Sequence, residues 1–275
     1  MQPLRGGLAP LTLASKAPAA PMPLDDYTAS VYAVFAMRRM LTSYTGAIIR
    51  VRRSSDNTEQ DIGYGADNLL DGTALAAFVG AGTGVISTWY DQKGSANFTS
   101  PTTGERPGIL SGNTAIAFDG SNDNMRNLTL TPAVGWSVAF RVSGVTNAGY
   151  VYSNNNYNWC CGPNTASGVD WLYASADRYR TPAISSGVLA LAGNQPYRNG
   201  SADGATLAGT PTFSGATYIG SRSSVQSPFL GGNLHNIIFH NGTWAAGTVA
   251  SISAAPRGVR LASLTDAGRA ALAAL

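Results

Sequence analysis

Short runs of alternating apolar and polar residues recur along most of the chain, separated by turns rich in Gly, Asn and Ser. The clearest run places Val138, Phe140 and Val142 on one face and Ala139 and Arg141 on the other. A period of two is typical of a β-strand. Runs of this kind follow one another at 115–120, 136–144, 149–153, 170–175, 187–193, 195–200, 216–221 and 234–242. Many short strands separated by turns predict an all-β sandwich or barrel.

The first part of the chain shows both the period of two that is typical of strands and the 3.6-residue period that is typical of helices. Apolar residues near a 3.6-residue spacing predict a helix over 27–43, and an Asp at a capping position predicts a short helix over 71–79. Alternation predicts strands over 47–53, 58–62 and 85–90. Helices are therefore expected to be few.

Three segments differ in composition. Residues 1–26 are rich in Pro and Ala and predict an extended arm, which either grips a neighbouring subunit or is a disordered tail. Residues 27–250 carry the strand pattern, and a β-sandwich of that length can be one domain. Residues 251–275 form a tail whose last part, 265–275, predicts a small Ala/Leu helix.

Charge is sparse and nearly balanced, at 12% charged residues and a formal net charge of +3. The basic cluster Arg50, Arg52 and Arg53 alternates with Ile49 and Val51, as on the solvated face of a strand. Neither nucleic acid nor a membrane is therefore an expected partner, and no apolar run is long enough to span a bilayer. Prolines and glycines interrupt the N-terminal apolar stretch, which makes it a poor signal peptide.

Cys160 and Cys161 are the only cysteines. Adjacent cysteines cannot link distant parts of a fold, and with His235 and His240 they make a weak case for structural zinc. No cofactor is predicted. A calcium ion in the turn that Asp119 and Asp123 flank is the one metal left open, since both acids could equally cap that turn.

The second half of the chain resembles laminin-G and concanavalin A-like domains in the order of its motifs. These are Phe118-Asp119-Gly120 with Asp123, then Trp136, Val138 and Phe140, then Tyr197-Arg198-Asn199-Gly200, Tyr218-Ile219-Gly220-Ser221, Phe229 and Gly231. The resemblance implies an all-β, concanavalin A-like jelly-roll sandwich with a few short helices and the extended N-terminal arm.

A narrower resemblance covers about residues 28–242. The segments 36–56 and 88–92 and the pair Cys160-Cys161 resemble the catalytic domain of α-L-arabinofuranosidase B. They equally resemble copies of that module in bacteriophage virion and tail proteins. The resemblance implies a pocket of L-arabinofuranose size lined by the vicinal cysteines.

The same resemblance bears on catalysis. Its nucleophile, a Glu before an Asn-Gly hairpin, matches Arg198, and its acid/base, an Asp after an Ile-Gly-Gly strand end, matches Arg222. An arginine stays protonated and can neither attack an anomeric carbon nor donate a proton near neutral pH. Both catalytic carboxylates are therefore expected to be missing, with Asp170 and Asp203 as acids that could substitute.

A sugar-binding surface is predicted around the cysteines. They are either two buried free thiols or a vicinal disulfide that forms a flat apolar platform, with Trp159 beside it. The expected carbohydrate-binding residues are Asn158, Trp159, Cys160, Cys161, Trp171, Arg198 and Arg222.

The leading hypothesis is a non-enzymatic structural protein of a phage-like particle: a decoration, fibre or tail module. Its expected partners are other virion proteins, copies of itself in a homo-oligomer such as a trimer, and host-surface glycan. Its expected location is the virion, after synthesis in the host cytoplasm without a signal peptide. Two alternatives stay open: an α-L-arabinofuranosidase-type glycoside hydrolase and a lectin-like module of a bacterial surface protein.

Overall fold

A computed structural model of the chain describes residues 21–94, 96–133, 135–146, 149–154, 159–164, 168–173, 177–181, 184–207, 216–221 and 229–249. The predicted helix at 265–275 and most of the predicted arm lie outside these residues. Residues 21–26 of that arm are described; Leu24 is fully buried, and a 3₁₀ turn begins at Asp25. No helix of the described residues is long and apolar enough to cross a membrane.

The described residues form eighteen strands, the α-helix Gly72–Val79, a helical segment at 246–249 and two 3₁₀ turns, Asp25–Tyr27 and Thr103–Glu105. In chain order the elements are β1 (Val31–Ala36), β2 (Ile49–Arg53), β3 (Glu59–Ile62), α1 (Gly72–Val79), β4 (Gly84–Trp89), β5 (Phe98–Thr99), β6 (Gly108–Ile109), β7 (Ile116–Asp119), β8 (Met125–Asn127), β9 (Ser137–Ser143), β10 (Tyr152–Asn154), β11 (Trp159–Asn164), β12 (Gly168–Tyr173), β13 (Asp177–Thr181), β14 (Gly187–Ala192), β15 (Gln195–Arg198), β16 (Ser201–Ala202), β17 (Thr217–Ile219) and β18 (Gly231–His240).

The strands make two antiparallel sheets. The eight-stranded sheet has the order β16-β15-β14-β9-β18-β7-β6, and β1 pairs with β18. The ten-stranded sheet has the order β13-β12-β11-β10-β17-β8-β5-β4-β2-β3. Some neighbours within a sheet, such as β9 and β18, are distant in sequence, because the strands between them are divided over both sheets. The chain therefore crosses between the sheets repeatedly. The predicted all-β sandwich is confirmed.

The main core lies between the sheets. Phe35 of the eight-stranded sheet packs on Trp89 and Phe98 of the ten-stranded sheet, with ring centroids 5.8 and 4.7 Å apart. Trp136 and Tyr152 make a similar edge contact at 5.6 Å. A second buried cluster covers the opposite face of the eight-stranded sheet, where Leu24, Met40, Leu41 and Trp244 pack on Ala139, Ala190 and Ile238. The eight-stranded sheet is therefore buried on both faces over much of its area.

The helix predicted over 27–43 is wrong. A 3₁₀ turn at Asp25–Tyr27 is followed by β1, which pairs antiparallel with β18 and sets Phe35 opposite Ile237. Val34 faces the second cluster and Phe35 the main core, so both faces of β1 are apolar. A strand buried on both faces loses its alternation, and the period alone then fails to separate it from a helix.

The short helix predicted over 71–79 is confirmed as α1. The Asp71 carboxylate accepts a hydrogen bond from the Ala74 backbone N–H at 2.9 Å, which satisfies one of the unpaired N–H groups of the first turn.

We expect Asp71→Ala to lower the free energy of unfolding by about 1 kcal/mol, because it removes this N-cap. Urea denaturation of the variant measures the change, and Asp71→Asn is the control, because Asn retains an oxygen acceptor. An equal loss in both variants would contradict capping as the role of Asp71.

Candidate functional site

One register row crosses all ten strands of the ten-stranded sheet. Successive pairings join Asp61, Arg50, Thr88, Thr99, Arg126, Tyr218, Ser153, Cys160, Leu172 and Arg178. Directly paired residues lie on the same face of a sheet. The neighbours of these residues along the strands, among them Ile62, Trp89, Phe98 and Met125, are in the core. The row therefore marks the face of this sheet that is turned away from the other sheet, here called the outward face.

The two acids at the β3 edge of the outward face are neutralised. Asp61 accepts two hydrogen bonds from Arg50, at 2.7 and 3.0 Å, and one from the Tyr90 hydroxyl at 2.7 Å. The Arg50 hydrogen bond lowers the pKa of Asp61, while burial and the hydrogen bond to Asp61 raise the pKa of Tyr90 to about 12.

Glu59 is held in the same way by Arg106 at 2.8 Å and by the Ser87 hydroxyl at 3.1 Å. Asp61 is not placed to donate a proton at neutral pH, because the Arg50 guanidinium stabilises its carboxylate as the anion. The carboxylate of Glu59 is likewise engaged in an ion pair.

These edge acids are also far from the cysteines. Seven strand-to-strand steps separate β3 from β11, which at about 4.8 Å per step is roughly 34 Å. Glu59 and Asp61 therefore cannot share a reacting sugar with residues of β11–β13, and any site at Cys160 must draw its chemistry from the strands around it.

The outward face is covered at its middle. Tyr218 is 8% exposed and Ser153 is fully buried, although both stand in the outward row. Ser153 is paired directly with Cys160. The outward face is therefore shielded from solvent at Ser153, directly next to the position of Cys160.

The predicted site residues of β11 and β12 divide between the two faces. Cys160 stands in the outward row, whereas Cys161 is opposite Tyr152 and Trp171, in register with the core side. Trp159 lies two positions from Cys161 along β11 and is paired with Tyr173, so it lies on the same face of the sheet as Cys161. Asn158 lies outside the described residues.

Asp170 is the acid that the register brings nearest to Cys160. It is paired with Gly162 of β11 and Arg180 of β13, and Gly162 is two positions along β11 from Cys160, on the same face. Glycine in the interior of a strand often marks a place where a ligand approaches the backbone closely. The sequence had singled out Asp170, but only the register shows which sheet face it shares.

Arg198 belongs to the eight-stranded sheet, and Asp203 directly follows its strand β16. Arg198 ends β15 in the eight-stranded sheet, and its Nε donates to Asp203 Oδ2 at 3.0 Å. The structure therefore does not bring Arg198 into the sheet that carries the cysteines, and it ties Asp203 to Arg198. Arg222 lies outside the described residues.

The turn between β7 and β8 is held by its own acids. The Asp119 N–H donates to Asp123 Oδ2 at 2.9 Å, and the Ser121 N–H donates to Asp119 Oδ1 at 2.8 Å. Asp119 and Asp123 thus cap this turn, one of the two roles expected for them. The described residues contain no cluster of three potential metal-ligating His, Cys, Asp or Glu side chains.

Burial raises the pKa of Asp123 from 3.8 to about 6. A carboxyl whose folded-state pKa is raised adds its full stability below the unfolded pKa and loses it as the pH rises through the folded pKa. We therefore expect Asp123→Asn to be more stable than wild type by about 2 kcal/mol at pH 8 and equally stable near pH 4. Urea denaturation at pH 4, 6 and 8 measures this, and a difference that does not change with pH would contradict it.

The sequence matches the family model described as α-L-arabinofuranosidase B, catalytic, over residues 25–251. Among solved structures, a GH54 α-L-arabinofuranosidase soaked with a cyclic sulfate inhibitor superposes with a TM-score of 0.62 at 17% identity. An arabinofuranosidase complexed with arabinofuranosyl-α-1,2-xylobiose gives 0.63 at 16% identity. A Glu→Gln variant of a GH54 enzyme, soaked with 4-nitrophenyl α-L-arabinofuranoside, gives 0.62 at 17%.

Each superposition covers 86% of this chain and 64% of the solved chain, so the protein spans less than two thirds of those enzymes. No curated protein sequence matches the chain significantly. At these identities the solved structures establish the sandwich fold, and the family model establishes kinship along most of the chain.

Proposed function

The chain belongs to the family of α-L-arabinofuranosidase B catalytic domains, and from that premise we propose that it is a glycoside hydrolase that cleaves α-L-arabinofuranosyl linkages. The observation that carries the proposal is the match of a catalytic-domain family over residues 25–251. The match includes both sheets of the sandwich and the cysteine pair.

The prediction of a non-enzymatic virion protein is wrong. The family that matches is that of a catalytic domain, and the solved structures that superpose over 86% of the chain are arabinofuranosidases. The predicted roles as a virion, tail or decoration component are therefore wrong as well. Self-association and the redox state of Cys160 and Cys161 stay predictions.

The assignment of Arg198 and Arg222 to the two catalytic positions stays a prediction. Arg198 ends β15 of the eight-stranded sheet and is paired with Asp203. The proposed activity therefore requires carboxyl groups at positions other than these two.

We place the sugar site on the outward face at β10–β12, around Cys160, Gly162 and Asp170. Gly162 has no side chain and so leaves room for a sugar ring against the backbone of β11. Loops and strand ends around one face are where sandwich proteins collect ligand contacts.

Hydrolysis of a glycoside requires two carboxyl groups, one acting as proton donor and the other as nucleophile or as base. Of the 15 acidic residues in the chain, only Asp170 and Asp177 belong to β11–β13. Asp170 shares the face of Cys160, and Asp177 begins β13 opposite Tyr173. Tyr173 is itself paired with Trp159, so Asp177 lies on the face of Cys161 and not on that of Asp170. We therefore assign Asp170 as one catalytic carboxyl and expect the second to come from outside β11–β13.

The test is release of 4-nitrophenol from 4-nitrophenyl α-L-arabinofuranoside by the full chain. We expect turnover above a heat-denatured control and little release from 4-nitrophenyl β-D-xylopyranoside or β-D-glucopyranoside. An enzyme with no turnover on any of these substrates would sink the proposal. If such an inactive protein bound arabinofuranosyl oligosaccharides, it would be a carbohydrate-binding module.

A further inference from the structure

A polar strip crosses the outward face between the proposed sugar site and the β3 edge. It consists of Thr88 of β4, Thr99 of β5 and Arg126 of β8, which are paired in one row across three adjacent strands. Thr99 is exposed, and Thr88 and Arg126 are half-buried. The three side chains therefore form a hydrophilic line of about 10 Å that solvent reaches.

The polar groups of this strip are not engaged with the protein. Within the described residues, the hydroxyls of Thr88 and Thr99 and the guanidinium of Arg126 make no hydrogen bond, and Arg126 makes no ion pair. By contrast, Arg50, the next residue of the row after Thr88, is held by Asp61. Groups that no protein atom uses are available to a ligand, and a guanidinium offers five N–H donors to it.

The charges around the strip favour an anionic ligand. The two ion pairs at the β3 edge are each neutral. Arg52, two positions from Arg50 along β2, adds a guanidinium that donates to the neutral side chain of Asn57. The Glu105 carboxylate accepts from the side-chain amide of Asn124 at 3.2 Å. In this part of the described chain, two unpaired arginines therefore stand against one unpaired acid.

The strip continues the row that leads to Cys160. Arg126 is paired with Tyr218. Tyr218 is paired with Ser153, and Ser153 with Cys160. Three strand-to-strand steps separate Arg126 from Cys160, which is roughly 14 Å. A single arabinofuranose at Cys160 cannot span that distance, whereas a chain of several sugar rings can, passing above the shielded position of Ser153.

We propose that the strip binds the acidic main chain of a polysaccharide whose arabinofuranosyl branch enters the site at Cys160. This inference rests on the proposed hydrolase function and names its substrate class, arabinofuranosyl branches on a chain that contains uronate residues. Arg126 holds a uronate carboxylate, since a guanidinium matches its geometry. The hydroxyls of Thr88 and Thr99 bond to hydroxyls of the neighbouring sugars.

A single-stranded nucleic acid fits the strip less well than an acidic polysaccharide. Binding of single strands depends on aromatic side chains on which the bases stack. Tyr218, the aromatic residue next to the strip in the row, is only 8% exposed. The strip itself offers hydroxyls and one guanidinium, which suit a hydroxylated and sparsely charged chain.

Calorimetric titration of the full chain with hexagalacturonate at pH 7 and low ionic strength tests the strip without any hydrolysis. The neutral probe is the methyl ester of the same hexamer, and a hexathymidylate represents nucleic acid. We expect hexagalacturonate to bind about five-fold more tightly than its methyl ester, and the difference to shrink as added salt screens the charges. Three results would each overturn the proposal: no binding of hexagalacturonate, equal binding of its methyl ester, or tighter binding of hexathymidylate.

Two substitutions with opposite expected effects guard against a trivial loss of folding. Arg126→Gln should weaken hexagalacturonate binding by about five-fold. Glu105→Gln should strengthen it by about two-fold, because it removes a like charge and keeps an oxygen that accepts from Asn124. Lys93→Gln is the control and should leave binding unchanged, because exposed Lys93 donates to the Thr28 carbonyl ahead of β1, in the other sheet. Unchanged affinity in the Glu105 variant would contradict the electrostatic basis even if the Arg126 variant failed to fold.

Failure of the strip and failure of the hydrolase give different results. Turnover of 4-nitrophenyl α-L-arabinofuranoside without binding of hexagalacturonate would retain the hydrolase and overturn the acidic substrate. Binding of hexagalacturonate that is lost in Arg126→Gln, in a chain without turnover, would support the strip and overturn the hydrolase. The aryl glycoside is too short to reach Arg126, so the Arg126 variant should keep kcat/KM for it within about two-fold of wild type.

Discussion

Replacing Asp170 with Asn should reduce kcat for 4-nitrophenyl α-L-arabinofuranoside by about 10²–10⁴-fold, the usual contribution of a group that transfers a proton in the transition state. The amide keeps the shape and most hydrogen bonds of the carboxyl but can neither donate a proton as an acid nor attack as an anion. Initial rates of 4-nitrophenol release across pH 4–8 measure the effect. KM should change much less than kcat, because the lost interaction belongs to the transition state.

Asp203→Asn is the matched control. It makes the same chemical change in an acid of the eight-stranded sheet that is paired with Arg198 rather than with any group of β11–β13. It should leave kcat within about two-fold of wild type and lower stability slightly, as expected for the loss of a partly exposed ion pair. Two results would contradict a site on the ten-stranded sheet. One is a fall in kcat with Asp203→Asn, and the other is an unchanged kcat with Asp170→Asn.

The strands were predictable where one face is solvated or the two faces differ in polarity. β2, β4 and β9 alternate clearly, and their positions agree with the pattern of the sequence. β1 was not predictable, because Val34 and Phe35 are buried on opposite faces and only the pairing with β18 decides between helix and strand. The local spacing of apolar residues carries no information about a partner strand that lies about 200 residues away in the sequence.

The candidate site was predictable in its residue types but not in its geometry. The vicinal cysteines and Asp170 stand out in the sequence, whereas the burial of Ser153 and its pairing with Cys160 appear only after β10 is set between β11 and β17. The sheet that carries Arg198 was not predictable for a related reason. An Asn-Gly hairpin is a local signal that identifies a turn, and it does not say which of two sheets the turn belongs to.

The surfaces of the two sheets differ in the same way. The middle of the eight-stranded sheet is covered by the cluster of Leu24, Met40 and Trp244, and a cavity lies beyond that cluster, at Arg38 and Asn236. The ten-stranded sheet has a solvated outward face, where Arg50 and Asp61 remain exposed. The core between the sheets separates this outward face from the far face of the eight-stranded sheet.

Phe35→Ala should lower the free energy of unfolding by about 3–5 kcal/mol, the usual loss when a large buried aromatic is truncated. Phe35 is fully buried, and its ring contacts Trp89 and Phe98 of the opposite sheet and Phe239 of its own, with centroids 4.7–6.5 Å apart. The cavity left by the ring has walls from both sheets, which cannot collapse into it without shifting the strands. The lost contacts join the sheets, so the whole sandwich should lose stability in one transition.

Urea denaturation followed by tryptophan fluorescence measures this loss, with Leu128→Ala as the control. Leu128 is 67% exposed, so its truncation should change stability by no more than about 0.5 kcal/mol. A Phe35 variant with a loss below about 1 kcal/mol would mean that β1 is not clamped between the sheets. In that case the pairing of β1 with β18, on which the placement of Arg38 and its cavity depends, would be in error.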